Sequence, residues 1–274
     1  MSMAKVTILM PTRNNSAYLP SALDSLLAQT FTDFKLVIVN DSSTDCTAKI
    51  IDDYQKKDDR VKVVINNSQL GITRSLNNGL KFATGDYLVR MDSDDWSYPN
   101  RIETQVLFMD SNPNVVVAGS WVEICNEDLK VVSTRRFPSK DSDIRNVILR
   151  YNPIAHPSTI WRLGKLLAVG GYDESYKYSQ DYRAYLMLGR GGMLANTPKV
   201  LVKLRKRTGS ISVSKGTSQE FYALKARLLA CLSLRYKATI VDVVLFVFQL
   251  LSLVLIPHKV KMFLFSKFID NKPA

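Results

Sequence analysis

Tyr87-Leu88-Val89-Arg90-Met91-Asp92-Ser93-Asp94-Asp95 is an apolar run that stops on three carboxylates. A short apolar run bounded by polar residues reads as a buried strand, here over residues 87–91. The same pattern recurs upstream. Residues 6–10 are apolar and end in Pro11-Thr12-Arg13-Asn14-Asn15, residues 34–39 run into Asn40-Asp41-Ser42-Ser43-Thr44-Asp45, and residues 61–65 supply a further strand. Between them apolar residues recur at helical spacing: Leu19, Leu23, Leu26 and Leu27, then Ile50, Ile51 and Tyr54, then Leu76, Leu80 and Ala83 before Gly85. Strands alternating with helices predict a parallel sheet covered on both faces. In such a sheet ligands sit beyond the carboxyl ends of the strands. Residues 12–15, 40–45 and 92–95 all fall at that edge, so three polar clusters far apart in sequence are expected to meet on one rim.

Beyond Pro99 the pattern changes. A helix through Ile102, Val106 and Met109 leads to a strand at 115–118. Residues 121–192 are expected to mix short strands, turns and one helix, as a second half facing an acceptor rather than a repeat of the first. The expected organisation is a ligand-binding first half over 1–100, a second half over 101–215, and a basic, apolar helical region over 216–274.

The chain has 274 residues and a formal net charge of +12, with ample length for a real core. The charge is concentrated. Residues 198–274 hold 14 Lys and Arg against Glu220, Asp242 and Asp270, which leaves the rest close to neutral. A uniformly basic chain would suggest nucleic acid. A basic tail behind a near-neutral body suggests a docking surface, with no nucleic-acid partner. Cys46, Cys125 and Cys231 are odd in number and far apart, which suggests reduced thiols rather than a zinc site or disulfides. The apolar stretch 6–10 is too short for a secretory signal.

Three carboxylates within four residues repel one another unless a cation is present. A hard divalent ion takes oxygen ligands and commonly shares its shell with substrate phosphates. The spacing Asp92-x-Asp94 lets two carboxylates reach one ion, which could neutralise charge on a diphosphate leaving group. A solvated acidic loop is the competing reading, and the two other polar clusters beside it weigh against that. There is no GxxxxGK[ST] and no GxGxxG after the first strand, which counts against a P-loop NTPase and a dinucleotide-binding dehydrogenase.

Together these segments resemble the family 2 glycosyltransferases, whose GT-A fold is a Rossmann-like, mostly parallel sheet flanked by helices. The resemblance rests on Pro11-Thr12-Arg13-Asn14, on Asn40 to Asp45, and on Gly71-Ile72-Thr73-Arg74-Ser75-Leu76-Asn77-Asn78-Gly79. It continues through Arg90 to Asp95, Asn152-Pro153-Ile154-Ala155-His156-Pro157, Gly170-Gly171-Tyr172-Asp173-Glu174 and Gln180-Asp181-Tyr182. It spans residues 5–212 in the correct order. What it implies is an inverting transfer of a sugar from a nucleotide diphosphate donor, with Mn2+ or Mg2+ as cofactor. Asp41 would accept a hydrogen bond from the base, and Pro11, Thr12 and Arg13 would line the same pocket. Arg74, Asp92 and Ser93 would complete the nucleotide site. Asp94 would ligate the metal, with Asp92 in its shell, and Asp181 would be the general base.

The residues alone leave two of these roles open. Gln180-Asp181 precedes an apolar helix, so Asp181 could equally be a helix cap. A lone histidine is commonly structural, so His156 stands beside Gln180, Arg205 and Arg207 only as a candidate for acceptor or diphosphate contact. The chain also departs from the family. Arg13 stands where many members have an aromatic residue, and Asn40 replaces the first acid of an acidic pair. Arg205-Lys206-Arg207 replaces R-x-H ahead of Ser210-Ile211-Ser212. Arg207 cannot ligate a cation but could contact the diphosphate.

Residues 243–256 are apolar except for Gln249 and Ser252. These fourteen residues fall short of the about 20 that span a bilayer. His258, Lys259, Lys261 and Lys267 follow, interleaved with Met262, Phe263, Leu264, Phe265 and Phe268. Apolar helices with a basic flank read as an interfacial anchor on anionic lipid. A helix packed on the catalytic domain, or a homodimer interface, is the alternative. Anchoring would place the protein peripherally at the cytoplasmic face of a bacterial inner membrane. It would also suit a lipid-linked saccharide acceptor, such as a polyprenyl diphosphate sugar in O-antigen or capsule assembly. A non-catalytic module that binds nucleotide sugars or glycans is the alternative function.

Overall fold

A computed structural model describes residues 4–207 and 216–256. Residues 208–212 of the resemblance and the basic-aromatic stretch after Ile256 lie outside the described residues. The strands are β1 (Val6–Thr12), β2 (Phe34–Asn40), β3 (Val61–Ile65), β4 (Tyr87–Arg90), β5 (Trp96–Ser97), β6 (Val115–Cys125), β7 (Val131–Arg135), β8 (Ile160–Arg162) and β9 (Met193–Arg205). They form one sheet in the order β3-β2-β1-β4-β8-β6-β9-β5, with β7 paired to β6. Pairings β1–β2, β1–β4, β2–β3 and β6–β9 are parallel, and β8 inserts antiparallel between β4 and β6. Six of the nine strands among the described residues therefore run the same way, as the alternating pattern predicts.

The helices are α1 (Leu19–Leu27), α2 (Thr47–Lys57), α3 (Ile72–Leu80), α4 (Arg101–Ser111), α5 (Asp141–Val147), α6 (Leu163–Ala168), α7 (Gln180–Gly189), α8 (Gly216–Ser233) and α9 (Ile240–Leu255). Successive strand residues point to opposite faces, and β1 shows the consequence. Val6, Ile8 and Met10 pack under α1, α2 and α4, while Leu9 packs under α3 on the other face. Each such side chain contributes ~1.5–3 kcal/mol when fully buried. The two layers clamp the sheet and fix where its strand ends emerge.

The second half differs from the expectation of a single helix. It carries α5, α6 and α7, and β6 runs on to Cys125 rather than stopping at 118. Ser120, Trp121 and Glu123 give β6 a mixed composition that hides its length, yet its pairing with β9 continues to Cys125↔Arg205. That long pair carries the β9 end across to the acidic cluster.

In the C-terminal region, Thr239 and Asp242 cap α9 reciprocally. Arg150 pairs with Asp242 at 2.7 Å, and the Arg227 guanidinium donates to Gln249 Oε1. These contacts dock one side of α9. Ile240, Val244, Val247, Phe248, Leu251 and Leu255, at helical spacing on another side, are all exposed. Among the described residues, no helix is long and apolar enough to cross a membrane.

Candidate active site

The ends of β1, β2 and β4 converge. The Asp41 N–H donates to the Thr12 carbonyl at 2.9 Å. The Thr44 N–H donates to Asn14 Oδ1 at 2.8 Å, and Asn15 Nδ2 donates to Ser93 Oγ at 2.8 Å. The three clusters thus share one rim. Pro11 and Thr12 are buried in it, and Arg13 is exposed beside them. Thr12 Oγ1 is a buried hydroxyl without a hydrogen-bond partner.

Asp41 is buried, and its carboxylate accepts from Asn66 Nδ2 at 2.8 Å, the Leu70 N–H at 2.8 Å and the Gly71 N–H at 2.9 Å. A carboxylate has about four acceptor sites. Three are therefore used inside the protein, which shapes the turn from β3 into α3 and leaves little capacity for a ligand. Arg74, in the first turn of α3, is exposed and pairs with Glu174 at 3.4 Å.

Oxygens of Asp92, Asp94 and Asp95 lie within 4.8 Å of one another. Burial and the charge of Asp92 push the Asp94 carboxyl above its ordinary range, against the pull of Arg207. Burial, then Asp92 and Asp94, push Asp95 well above it. Carboxylates that resist ionising together mark a place short of positive charge. An all-oxygen donor set of this kind fits Mg2+ or Mn2+. Asp92 and Asp94 are the residues that would hold it. Asp95 is committed elsewhere, since it accepts from the Arg205 N–H at 2.9 Å.

Arg205, the last residue of β9, and Arg207 just beyond it reach this cluster. Arg205 Nε donates to the Asp94 carbonyl at 2.7 Å, and its Nη1 donates to the Glu127 carbonyl. That makes Arg205 a strap across the acidic loop. Arg207 Nε donates to the Asp94 carboxylate itself at 2.7 Å.

Arg90, the last residue of β4, is buried and pairs with Asp92 at 2.5 Å. Its Nε and Nη1 have no hydrogen-bond partner among the described residues. Burial opposes its charge, but Asp92 outweighs burial and the guanidinium holds its proton more firmly than usual. That charge acts on Asp181 as well. Asp181 is the second residue of α7, and Ser179 occupies the capping position, so Asp181 is not the cap. Its carboxylate accepts from Asn152 Nδ2 at 2.9 Å. Burial raises the Asp181 carboxyl above the ordinary range, while the Tyr182 N–H, Asn152 and Arg90 limit the rise. A carboxylate destabilised as an anion is a stronger base. Gln180 is buried beside it.

His156 is placed below the rim. Its Nε2 lies 3.0 Å from the Tyr172 hydroxyl, and its ring meets Trp161 and Tyr172 edge-on. Burial, then the Arg90 charge, hold its pKa well below the usual value. A neutral, enclosed ring packs and orients its neighbours, which is the structural use that the sequence leaves open.

Residues 7–168, more than half of the chain, match the family described as Glycosyl transferase family 2. The chain belongs to glycosyltransferase family 2. It is 28% identical over 271 residues to the amylovoran biosynthesis glycosyltransferase AmsE of Erwinia amylovora, covering 97% of this chain and 98% of that one. It is 32% identical over 213 residues to an uncharacterized glycosyltransferase of Haemophilus influenzae, covering 73% of this chain but 65% of that protein's length. The fold is that of the S. aureus TarS 1-349 complex with UDP-GlcNAc, at a TM-score of 0.66 and 22% identity over 82% of this chain and 66% of that one. The Pyrobaculum calidifontis mannosyltransferase PcManGT in complex with GDP-Man and Mn2+ matches at a TM-score of 0.66 and 16% identity, over 92% of this chain and 70% of that one. The architecture of this family 2 member is therefore GT-A.

Sequence reasoning gave no role to Arg90, Asn152 or Asn66. Arg90 has a signal, a charge closing an otherwise apolar strand. Asn152 and Asn66 reach Asp181 and Asp41 from 29 and 25 residues away; Asn152 opens a segment that carries the resemblance, whereas nothing local marks Asn66.

Proposed function

We propose that this family 2 member transfers a sugar, with inversion, from a UDP-hexose or UDP-N-acetylhexosamine to a hydroxyl of a lipid-linked saccharide in cell-surface polysaccharide assembly. The observation that carries the reading is Arg90, whose buried charge pairs with Asp92 of the acidic cluster and also acts on Asp181. One guanidinium thus couples a cation-seeking acid cluster to a separate buried base. Asp181 takes the proton of the acceptor hydroxyl as its oxygen attacks the anomeric carbon. The bond from that carbon to the nucleotide diphosphate breaks, and its electron pair leaves with the diphosphate. A divalent ion held by Asp92 and Asp94 would neutralise charge on that leaving group. Asp41, Thr12 and Arg13 shape the nucleotide end, with Arg13 free to stack on a base. The likeness to AmsE, to TarS in complex with UDP-GlcNAc and to PcManGT in complex with GDP-Man and Mn2+ supports the class of donor, product and ion.

The test is a donor screen: UDP-Glc, UDP-Gal, UDP-GlcNAc, UDP-GalNAc and GDP-Man, each with Mn2+ and then with EDTA. Manganese-dependent release of the nucleotide diphosphate from one donor is expected. No binding of any nucleotide sugar under either condition refutes the reading.

The same proposal places the protein peripherally on the cytoplasmic leaflet. The exposed row Val244, Phe248, Leu251 and Leu255 on α9 supports it, as do Arg235 and Lys237 just ahead of that helix. An apolar row next to basic residues suits anionic lipid. The full chain is expected to float with phosphatidylglycerol vesicles, and Phe248→Ser with Leu251→Ser to stay in solution. Equal flotation of both forms, or dimerisation through this row without lipid binding, overturns the membrane assignment.

A further inference from the structure

We infer that Arg207 is an internal stand-in for the cation: it holds Asp94 while the site is empty of metal and moves to the donor's diphosphate when metal and nucleotide bind. The inference rests on the metal and donor reading above.

The geometry begins with competition. Arg207 Nε donates to Asp94 Oδ2 at 2.7 Å, and both side chains are largely buried. Asp94 is the residue best placed, with Asp92, to take a divalent ion. A guanidinium on Asp94 occupies one of its acceptor sites and repels an incoming cation, and an arginine offers no lone pair to a cation. The ion must therefore lift Arg207 off Asp94 or share the carboxylate with it at a cost.

The chain also shows why only this side chain would move. The backbone up to residue 206 is tied down: the Arg205 N–H bonds Asp95, Arg205 Nε bonds the Asp94 carbonyl, and the Lys206 N–H bonds the Cys125 carbonyl at 2.8 Å. Arg207 thus hangs from a fixed point at the edge of the acidic cluster. The Tyr18 ring provides the place beside it, 5.4 Å from the Arg207 guanidinium carbon and 4.7 Å from that of Arg205. Such a cation–π contact holds a guanidinium without demanding one hydrogen-bond geometry, so the arginine can exchange one anion for another. A diphosphate bridged to an ion at Asp92 and Asp94 brings phosphate oxygens to within the same small region. Guanidinium binds phosphate oxygens in the fork geometry it uses for carboxylates.

Charge accounting points the same way. Three carboxylates with oxygens within 4.8 Å of one another meet two arginines, Arg90 at Asp92 and Arg207 at Asp94. Removing the Arg207 cation makes the cluster more negative and vacates Asp94. Both effects strengthen metal binding by the free protein, and both remove what Arg207 later gives the diphosphate.

The test measures binding rather than turnover. Mn2+ is titrated into wild type and Arg207→Gln, counting free ion by electron paramagnetic resonance, without and with saturating UDP. Arg207→Gln is expected to bind Mn2+ about tenfold more tightly than wild type when UDP is absent, the scale of one charged hydrogen bond removed. The gain in Mn2+ affinity that UDP produces should be smaller in the variant by about the same factor, because coupling is reciprocal. Arg207→Gln binding Mn2+ no more tightly than wild type overturns the competition. Tighter Mn2+ binding with an unchanged UDP gain overturns the transfer to diphosphate. If neither protein binds Mn2+ or UDP, the underlying reading of the site falls, and this inference falls with it. A larger Mn2+-induced rise in Tm for the variant is the independent check on a folded protein.

Discussion

Asp181→Asn is expected to lower kcat by about 10³-fold, the range for loss of a positioned general base, and at the same time to raise the Tm near neutral pH. The two effects have one cause. Burial makes the Asp181 anion costly, and its pKa is raised in the folded protein. A carboxyl whose folded pKa lies above its unfolded value binds more protons folded than unfolded between those two values. Stability therefore falls as pH rises through that window, and the full penalty is present above the folded pKa. Asparagine keeps the shape and can still accept from Asn152, but it carries no charge, so the penalty disappears. The stabilising effect should fade as pH drops below the ordinary carboxylate range, where wild type is also protonated. The same raised pKa places the acid limb of the kcat/KM profile above the usual carboxylate range. UDP affinity, measured by calorimetry, should be unchanged, because Asp181 serves the acceptor. Equal kcat for variant and wild type would falsify the base assignment, and a lower Tm at neutral pH would contradict the burial argument.

The sequence made the first half of this fold readable because buried parallel strands are continuous apolar runs, and their polar ends must lie at the ligand edge. Thr12, Asp41 and Asp92 could be placed on one rim before any coordinates. The second half resisted the same reading. β8 is three residues long and does not stand out from turns, and β6 was legible only over 115–118 because Ser120 and Glu123 break its apolar run. Helices α5 and α6, of seven and six residues, are too short for a helical period to declare itself. At the site, carboxylates were legible and their partners were not. Asp94 signals itself by its neighbours, yet Arg207 arrives from 113 residues away. It does so through a β6–β9 pairing that sequence patterning understated. His156 stood open between packing and acceptor contact, and what decides its surroundings, the edge-on rings of Trp161 and Tyr172, lies outside its local sequence. Arg90 was visible only as a charge in an apolar strand. Its importance comes from what surrounds it in three dimensions.

Asp94→Asn is expected to lower kcat/KM by about 10³-fold, or ~4 kcal/mol of transition-state stabilisation, the scale of losing one preorganised electrostatic partner of a developing charge. Mn2+ binding measured by electron paramagnetic resonance should be lost, and the residual rate should no longer respond to EDTA. This loss differs in kind from that of Asp181→Asn, because it acts on the leaving group and so weakens UDP binding in the presence of Mn2+. Asparagine offers one neutral oxygen in place of a charged pair, and Asp95 already has one carboxylate oxygen taken by the Arg205 N–H. The variant also strands Arg207 without its carboxylate. If Arg207 alternates between Asp94 and diphosphate, it is already released in Asp94→Asn, and metal-free UDP should bind this variant more tightly than wild type. Adding Arg207→Gln should then cancel that gain, a non-additive outcome expected of two side chains that share one interaction. An Asp94→Asn enzyme that keeps its manganese response would move the ligand role away from this residue. A double variant that binds metal-free UDP as tightly as Asp94→Asn alone would show that the arginine and the aspartate act independently.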